Sequence, residues 1–228
     1  MSNSASSVVA IDGPSASGKS TVSRRVAAEL GWCYVDSGAL YRGLTWKALR
    51  ESVDTGRPED LIALVPQLAL EFSEVQRVLH FTINGEDPGL QLRSEPVQEA
   101  VSDVAAVPEV RAFIVAELRR LTAFGSLVME GRDIGSVVFP ATPFKFYLDA
   151  DPWERARRRA QELAQAEGYS DVSRVADSLA RRDRKDAGRK TAPLQIPLGA
   201  QVINSTALSI GQVVALIVAA VRGVAAPS

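Results

Sequence analysis

The chain has 228 residues, of which 46% are hydrophobic and 23% are charged, so it is long enough to bury a large apolar core. Its formal net charge of −1 excludes the strong positive field that draws a protein to nucleic acid or to a membrane surface. A single cysteine, Cys33, excludes an internal disulfide framework, and a single histidine, His80, excludes a metal site built on two histidines. We expect a buried Cys33 and a His80 on an ordinary strand face.

The two ends of the chain carry no targeting or membrane signal. Residues 1–7 are polar and lack the charged and apolar regions of a signal peptide, so we expect a disordered tail. The most apolar late stretch, Val213–Val221, is too short to cross a bilayer. No stripe of residues indicates self-association, and the expectation is a cytoplasmic monomer that binds neither a membrane nor nucleic acid.

In chain order, the first elements are a buried strand at Val8–Asp12, a glycine-rich loop and a helix from about Ser20 to Leu30. The loop fits G-x-x-x-x-G-K-[ST] in the strand–loop–helix context that such a loop requires. Its backbone amides bind phosphate, Lys19 reaches the β- and γ-phosphates, and the Ser20 hydroxyl binds Mg²⁺. We therefore predict binding of a nucleoside triphosphate by Gly13, Pro14, Ser15, Ala16, Ser17, Gly18, Lys19, Ser20 and Thr21.

A region of different character follows a strand at Trp32–Val35 and a helix from Ala39 to about Glu51. Residues 53–107 contain Asn84-Gly85, a strong tight-turn signal, and we interpret them as an insertion with its own small antiparallel sheet. Its expected elements are a short helix near Leu61–Leu70, an alternating strand at Val78–Ile83, a further strand at Gln91–Arg93 and a helix at Glu95–Ala106.

The alternation of strands and helices resumes at Pro108 and predicts a core of residues 8–52 and 108–225. The expected elements are a helix at Glu109–Ala123, strands at Ser126–Glu130 and Phe144–Leu148, a basic helix from Asp151 to Glu167, a charged helix at Ser170–Lys190, a strand at Val202–Asn204 and a helix at Ser209–Val221 with Ser209 as its cap. This order predicts an α/β, three-layer fold with a central parallel sheet, whose ligands bind at the carboxyl ends of the strands.

Several arginines lie where such a site would form. Arg42 comes one turn after a helix start, and Gly131-Arg132-Asp133 follows an apolar strand, where a charge is expected to have a function. The segment Arg181–Lys190 is a solvated helix face, a nucleic-acid patch or part of a lid that closes over phosphates. Its interspersed acids and the phosphate-binding loop favour a short helical lid at about residues 170–192.

Four further arginines are distributed around the basic helix and cannot share one face, so we predict that most are solvated. They are Arg155, Arg157, Arg158 and Arg159.

The loop alone leaves several functions open. A guanine-selecting Asn-Lys-x-Asp is absent from the sequence, which disfavours a switch GTPase. A kinase for UMP, AMP, dTMP or a small alcohol, a regulatory protein that binds ATP without turnover, and a nucleic-acid-binding module remain as alternatives. Acceptor-dependent ADP formation separates the kinases from the other two.

From about Val8 to Val221, the chain resembles the bacterial cytidylate kinase family. The segments that carry the resemblance are Gly13–Thr21, Asp36–Arg42, Glu130–Pro140, Arg182–Arg189 and Ala192–Leu194. The resemblance implies phosphorylation of CMP and dCMP by ATP with Mg²⁺, in an architecture of core, insertion and lid. In that family Asp is common at the position of Asn204, and the counterpart of Asp87–Leu92 is more polar.

The resemblance also implies roles for individual residues. Arg42 and Arg132 correspond to ligands of the CMP phosphate, and Ser37, Arg111 and Asp133, with Arg189, to readers of the cytosine edge. Ser102, Arg182 and Asp186 correspond to contacts with the sugar or the phosphate. The catalytic set is then Lys19, Arg132, Asp133, Arg182 and Arg189, while Asp12, Asp36 and Asp133 remain alternatives for the carboxylate that orients the waters of Mg²⁺.

Overall fold

The computed structural model describes residues 6–168 and 171–224, and it confirms the α/β fold. One seven-stranded sheet has the order β3-β4-β2-β5-β1-β6-β7, and every neighbouring pair is parallel except β3 and β4. The strands are β1 Val8–Asp12, β2 Cys33–Asp36, β3 Leu70–Val75, β4 Val78–Ile83, β5 Leu127–Gly131, β6 Phe144–Asp149 and β7 Gln201–Asn204. Residues 1–5 of the expected tail lie outside the described residues, whereas the Ser7 carbonyl accepts a hydrogen bond from the amide of Leu127.

Helices cover both faces of the sheet. They are α1 Lys19–Leu30, α2 Ser37–Arg50, α3 Pro58–Leu64, α4 Glu95–Val104, α5 Pro108–Arg120, α6 Pro152–Glu167, α7 Val172–Ala187 and α8 Ile210–Val224. Carboxylate caps fix several starts: Asp36 accepts from Ala39 N at 3.1 Å, and Asp151 accepts from the amides of Trp153 and Glu154. None of these described helices is long and apolar enough to cross a membrane.

The core consists of two apolar layers, one on each face of the sheet. In β1, Val8 and Ala10 face one layer, while Val9 and Ile11 face the other, so the central strand is buried on both sides. Cys33 is buried in the first layer, as predicted. A separate small cluster packs α7 against α6 through Ala156, Ala160 and Val175, so the expected lid helix is anchored on α6.

The inserted region differs from the expectation in two elements. Strand β3 was not predicted, and Gln91–Arg93 lies in a 3₁₀ turn rather than in a strand. The hairpin turns at Gln76 and Arg77, with φ of 52° and 63°, although neither is a typical turn residue. Asn84-Gly85 instead closes the turn after β4, so the strongest turn signal does not mark the hairpin.

The expectation that the insertion has an antiparallel sheet of its own is wrong: the antiparallel pair is continuous with the parallel sheet, because β4 pairs with β2 through Tyr34 and Val78. Further into the sheet, Asp36 lies opposite Glu130, and Asp12 lies opposite Gly131. The carboxyl ends of β1, β2 and β5 therefore meet at one edge of the sheet. The segments that follow these strands therefore start side by side, in agreement with the expectation that ligands bind at the carboxyl ends of the strands.

Candidate active site

The glycine-rich loop, residues 13–20, is held tightly against the sheet. A Cβ atom on Gly13 would lie 2.1 Å from the carbonyl oxygen of Leu148, so only glycine fits there. Lys19 begins α1, and its Nζ donates to the carbonyl of Pro14 at 2.6 Å. Burial, together with the charge of Arg132, lowers the pKa of Lys19 to about 7, more than the nearby carboxylates of Glu130, Asp183 and Asp12 raise it.

The three carboxylates considered for magnesium all have other partners. Asp12 accepts from the amides of Ile134 and Gly135, both at 2.8 Å, and thereby holds the π-helical turn Ile134–Val138 after β5. Burial raises the pKa of Asp12 to about 6, more than those two amides lower it.

The other two carboxylates are paired with arginines. Asp36 binds the guanidinium of Arg42 at 2.7 Å, and Asp133 forms a buried ion pair with Arg111. Each carboxylate thus holds a side chain of the expected acceptor site.

Glu130 is a carboxylate that the sequence analysis did not single out. It is the penultimate residue of the fully buried β5, receives a 2.5 Å hydrogen bond from the Tyr34 hydroxyl, and interacts with the side chains of Ser20 and Lys19. Burial raises its pKa, so a nearby cation would stabilise the ionised form. An acidic residue at the end of an apolar strand was the sequence signal for it.

The acceptor side centres on Arg132, which connects the loop with α7. Its Nη2 donates to Ser15 Oγ at 2.7 Å and its Nε to Asp186 Oδ2 at 3.0 Å. Asp186 is buried and also pairs with Arg189. These contacts bring four of the predicted site residues together, one from the loop, one after β5 and two from α7 and the segment behind it.

A second group forms a buried polar corner suited to a flat ring. Arg111 lies 5.3 Å from the centre of the Tyr41 ring and pairs with Asp133. Ser37 is buried and donates to the carbonyl of Glu130 at 2.6 Å, so its oxygen keeps lone pairs for a ligand. Donors and acceptors therefore stand side by side, as recognition of a base edge requires.

The guanidinium groups of the site have unused donors. Among the described residues, the Nε atoms of Arg42, Arg111, Arg182 and Arg189 are buried without a hydrogen-bond partner. Burial and the neighbouring Arg132 lower the pKa of Arg182 to about 10, and burial also lowers the pKa of Arg189. Buried cations with free donors fit anionic ligands, and guanidinium groups suit phosphate.

The prediction that most of the four arginines of α6 are solvated is wrong, because only one of them is exposed. Arg155 is buried and donates to the carbonyls of Ala150 and Ser15, at 3.2 and 3.0 Å, and to Asp183. Arg157 is exposed as expected, whereas Arg158 is half-buried against Ser205 and Arg159 is half-buried and paired with Glu162. Spacing along α6 could not predict the burial of Arg155, because its partners Ser15 and Asp183 come from distant parts of the chain.

The remaining predicted residues line the edge of the site. Ser102 is buried on α4, next to Asp103, which pairs with Lys185 of α7 at 2.9 Å and so joins the insertion to the lid. Thr21 is exposed on α1. A cavity of about 430 Å³, lined by Arg42 and the segment 87–90 among others, opens beside the acceptor corner.

Asn204, the departure at the end of β7, accepts a hydrogen bond from the amide of Thr206 at 2.9 Å. The amide side chain thus forms a local turn contact that a carboxylate would also form.

This fold and this glycine-rich loop define a P-loop protein of the α/β class. A solved structure described as an uncharacterized protein from Eubacterium ventriosum shares the fold, with a TM-score of 0.51 at 11% identity over 96% of this chain and 99% of that chain.

The sequence matches the family model described as Cytidylate kinase over residues 9–223. It is 41% identical to a cytidylate kinase of Streptomyces griseus over 95% of this chain and 93% of the relative. It is 43% identical to a cytidylate kinase of Geobacillus kaustophilus over 90% and 92%, respectively. The chain belongs to the cytidylate kinase family.

Proposed function

We propose that the protein transfers the γ-phosphoryl group of ATP to CMP and dCMP, acting as a monomer in the cytoplasm. The observation that carries the proposal is the group of half-buried or buried arginines with unused donors around Arg132, which itself contacts the phosphate-binding loop. One phosphate-bearing ligand would need only the loop, whereas a second group of phosphate ligands fits a phosphorylated acceptor. Family membership supports the same reaction.

The chemistry needs no side chain as a base. The attacking atom is an oxygen of the acceptor's phosphate, which is already anionic at neutral pH because its second pKa is near 6. The work of the protein is then to align the two phosphates and to stabilise the charge of the transferred group. Lys19 and Arg132, both in contact with the loop, are placed for this role.

The residues present also suit Mg²⁺, which prefers oxygen ligands and retains several waters. Ser20 is exposed at the start of α1, and the buried Glu130 carboxylate beside it lacks a strong cationic partner other than Lys19. Ser20 would bind the ion, and Glu130 would orient its waters. The ion would supply positive charge to the phosphates of the donor.

Selection of cytosine rests on the buried corner of Ser37, Arg111 and Asp133. Cytosine presents an amino donor at position 4 and acceptors at its N3 and O2, which match a carboxylate and a guanidinium. Uracil has a carbonyl at position 4, where it would face the Asp133 carboxylate with no proton between them. The closest alternative, a kinase for a different acceptor, predicts another order of preference.

The test is ADP release from Mg-ATP with CMP, dCMP, UMP, AMP and dTMP offered separately. We expect turnover mainly with CMP and dCMP. The variant Asp133→Asn should lower the ratio of kcat/KM for CMP to that for UMP by roughly 10- to 100-fold, the effect of one matched pair of base contacts. Asp54→Asn, an exposed carboxylate of the insertion, is the matched control and should leave the ratio unchanged.

Each other result points to a different function. Turnover confined to another acceptor would retain the phosphate chemistry and reject the base-reading corner. ATP binding without acceptor-dependent turnover would place the protein in the regulatory class.

A further inference from the structure

One contact between the lid and the phosphate-binding loop has no part in the proposed chemistry. Asp183 of α7 accepts a hydrogen bond from the amide of Ser15 at 3.1 Å and another from Arg155 Nη1 at 2.5 Å. The same Nη1 donates to the Ser15 carbonyl at 3.0 Å. The side chains of Asp183 and Arg155 are only 17% and 9% exposed, so this contact is well shielded from water.

Ser15 lies in the loop between the residue that Lys19 contacts and the side chain of Arg132. Lys19, which reaches the β- and γ-phosphates in loops of this kind, binds the carbonyl of the residue just before Ser15. On its other side, Arg132 of the acceptor site binds the Ser15 hydroxyl. The Ser15 amide therefore lies at the end of the loop that faces the acceptor, where the transferred phosphoryl group belongs.

The backbone amides of such a loop bind phosphate oxygens, and a carboxylate oxygen offers the same charge and acceptor geometry. Asp183 also lies close enough to Lys19 for its charge to act on the ammonium. A γ-phosphate and the Asp183 carboxylate therefore require the same donors, and at short range two anions repel each other.

We propose that Asp183 competes with the γ-phosphate of the donor nucleotide for the Ser15 amide and for Arg155. Binding of a nucleoside triphosphate exchanges the carboxylate for the phosphate, and Arg155 passes from Asp183 to the γ-phosphate. A nucleoside diphosphate has no group at that place and leaves the contact intact. The inference rests on the proposed function, since it takes ATP as the donor.

The experiment is calorimetric titration of the full chain with Mg-ATP and with Mg-ADP, without an acceptor. Asp183→Asn should bind ATP about tenfold more tightly than the wild type, because one competing charge is removed. Its affinity for ADP should stay within about twofold of the wild-type value. Asp177→Asn is the matched control, because it removes the same charge from an exposed position of the same helix, and it should change neither affinity.

A second variant tests whether Arg155 passes from Asp183 to the γ-phosphate. This test does not depend on whether the Asp183→Asn variant folds. Arg155→Met should weaken ATP binding about tenfold more than ADP binding, since it removes a charge-assisted contact to the γ-phosphate alone. Thermal unfolding of each variant identifies loss of structure, which would weaken both nucleotides together.

Equal changes for ATP and ADP in both variants, or an ATP affinity that Asp183→Asn does not raise, would overturn the inference. If the wild type phosphorylates CMP while Asp183→Asn shows no selective gain, the inference fails and the proposed function stands. Absence of ATP binding by the wild type would overturn both.

Discussion

The proposed donor and acceptor sides of the site are built in different ways. The proposed phosphate ligands of the donor side come from the continuous segment 13–21, and most of them are backbone amides. The acceptor side takes side chains from α2, α4, α5, the turn after β5, α7 and the segment behind α7. A compact loop therefore faces a group of side chains that only the folded chain brings together.

This difference predicts different responses to mutation. Backbone amides survive most substitutions, so the donor side should depend on a few positions, namely its glycines and its lysine. On the acceptor side the proposed ligands are side chains, and several of them are held by a partner on another element, as Arg132 is by Asp186. Substitutions there should act mainly on binding of the acceptor.

The largest expected effect is on the donor side. Lys19→Met removes the buried ammonium but keeps an apolar stem of similar length, and it should lower kcat about 10³-fold because one preorganised charge is lost. Steady-state kinetics with saturating CMP measures the change, and far-ultraviolet circular dichroism checks the fold. A rise in the KM for CMP with kcat unchanged would contradict the donor role.

The next expected effect concerns the backbone of the same loop. Gly13→Ala places a Cβ against the Leu148 carbonyl, which cannot move without disturbing β6, and it should cost about 3 kcal/mol of unfolding free energy. Gly18→Ala meets no atom within 4 Å but must adopt a φ of +90°. It should cost only about 1–2 kcal/mol.

Denaturant unfolding measures the loss of unfolding free energy in each of the two glycine variants. Equal losses for Gly13→Ala and Gly18→Ala would mean that the close approach to β6 does not decide the loop's geometry.

On the acceptor side, Arg132→Lys keeps the charge but loses the forked donors that reach Ser15 and Asp186 together. It should raise the KM for CMP about 100-fold, with a smaller fall in kcat, because a positioned phosphate ligand is lost. Initial-rate measurements over a wide range of CMP concentrations separate the two parameters. A fall in kcat alone would place Arg132 with the donor rather than the acceptor.

The smallest expected effect lies where the two sides meet, at Asp12. Its native pKa of about 6 is above the unfolded value of 3.8, so the native state binds more protons between these values. Stability from this group is therefore present below about pH 4 and is lost as the pH rises through about 6, by roughly 1–3 kcal/mol. Denaturant unfolding of the wild type and of Asp12→Asn at pH 4.5 and 6.5 measures this effect. The difference in unfolding free energy between the two proteins should change between the two pH values, and a constant difference would contradict the raised pKa.

The sequence predicted those parts of the molecule whose structure is determined by short, continuous segments. The strand–loop–helix of residues 8–30, the Ser209 cap and the buried Cys33 follow from spacing and residue type alone. The hairpin of β3 and β4 was missed in part, because its turn uses Gln76 and Arg77 instead of the usual turn residues. Its pairing with β2 depends on a partner far away in the chain.

The sequence by itself determined that this chain is an α/β phosphate-binding protein with a glycine-rich loop, since backbone conformation and strand order are encoded in short segments. Only the tertiary structure decided that Glu130 stands beside Ser20, that Arg155 is buried, and that Asp183 binds the loop. A charged side chain has the same appearance in a sequence whether it is solvated or paired. Its partners, supplied by elements more than 20 residues away, decide between the two.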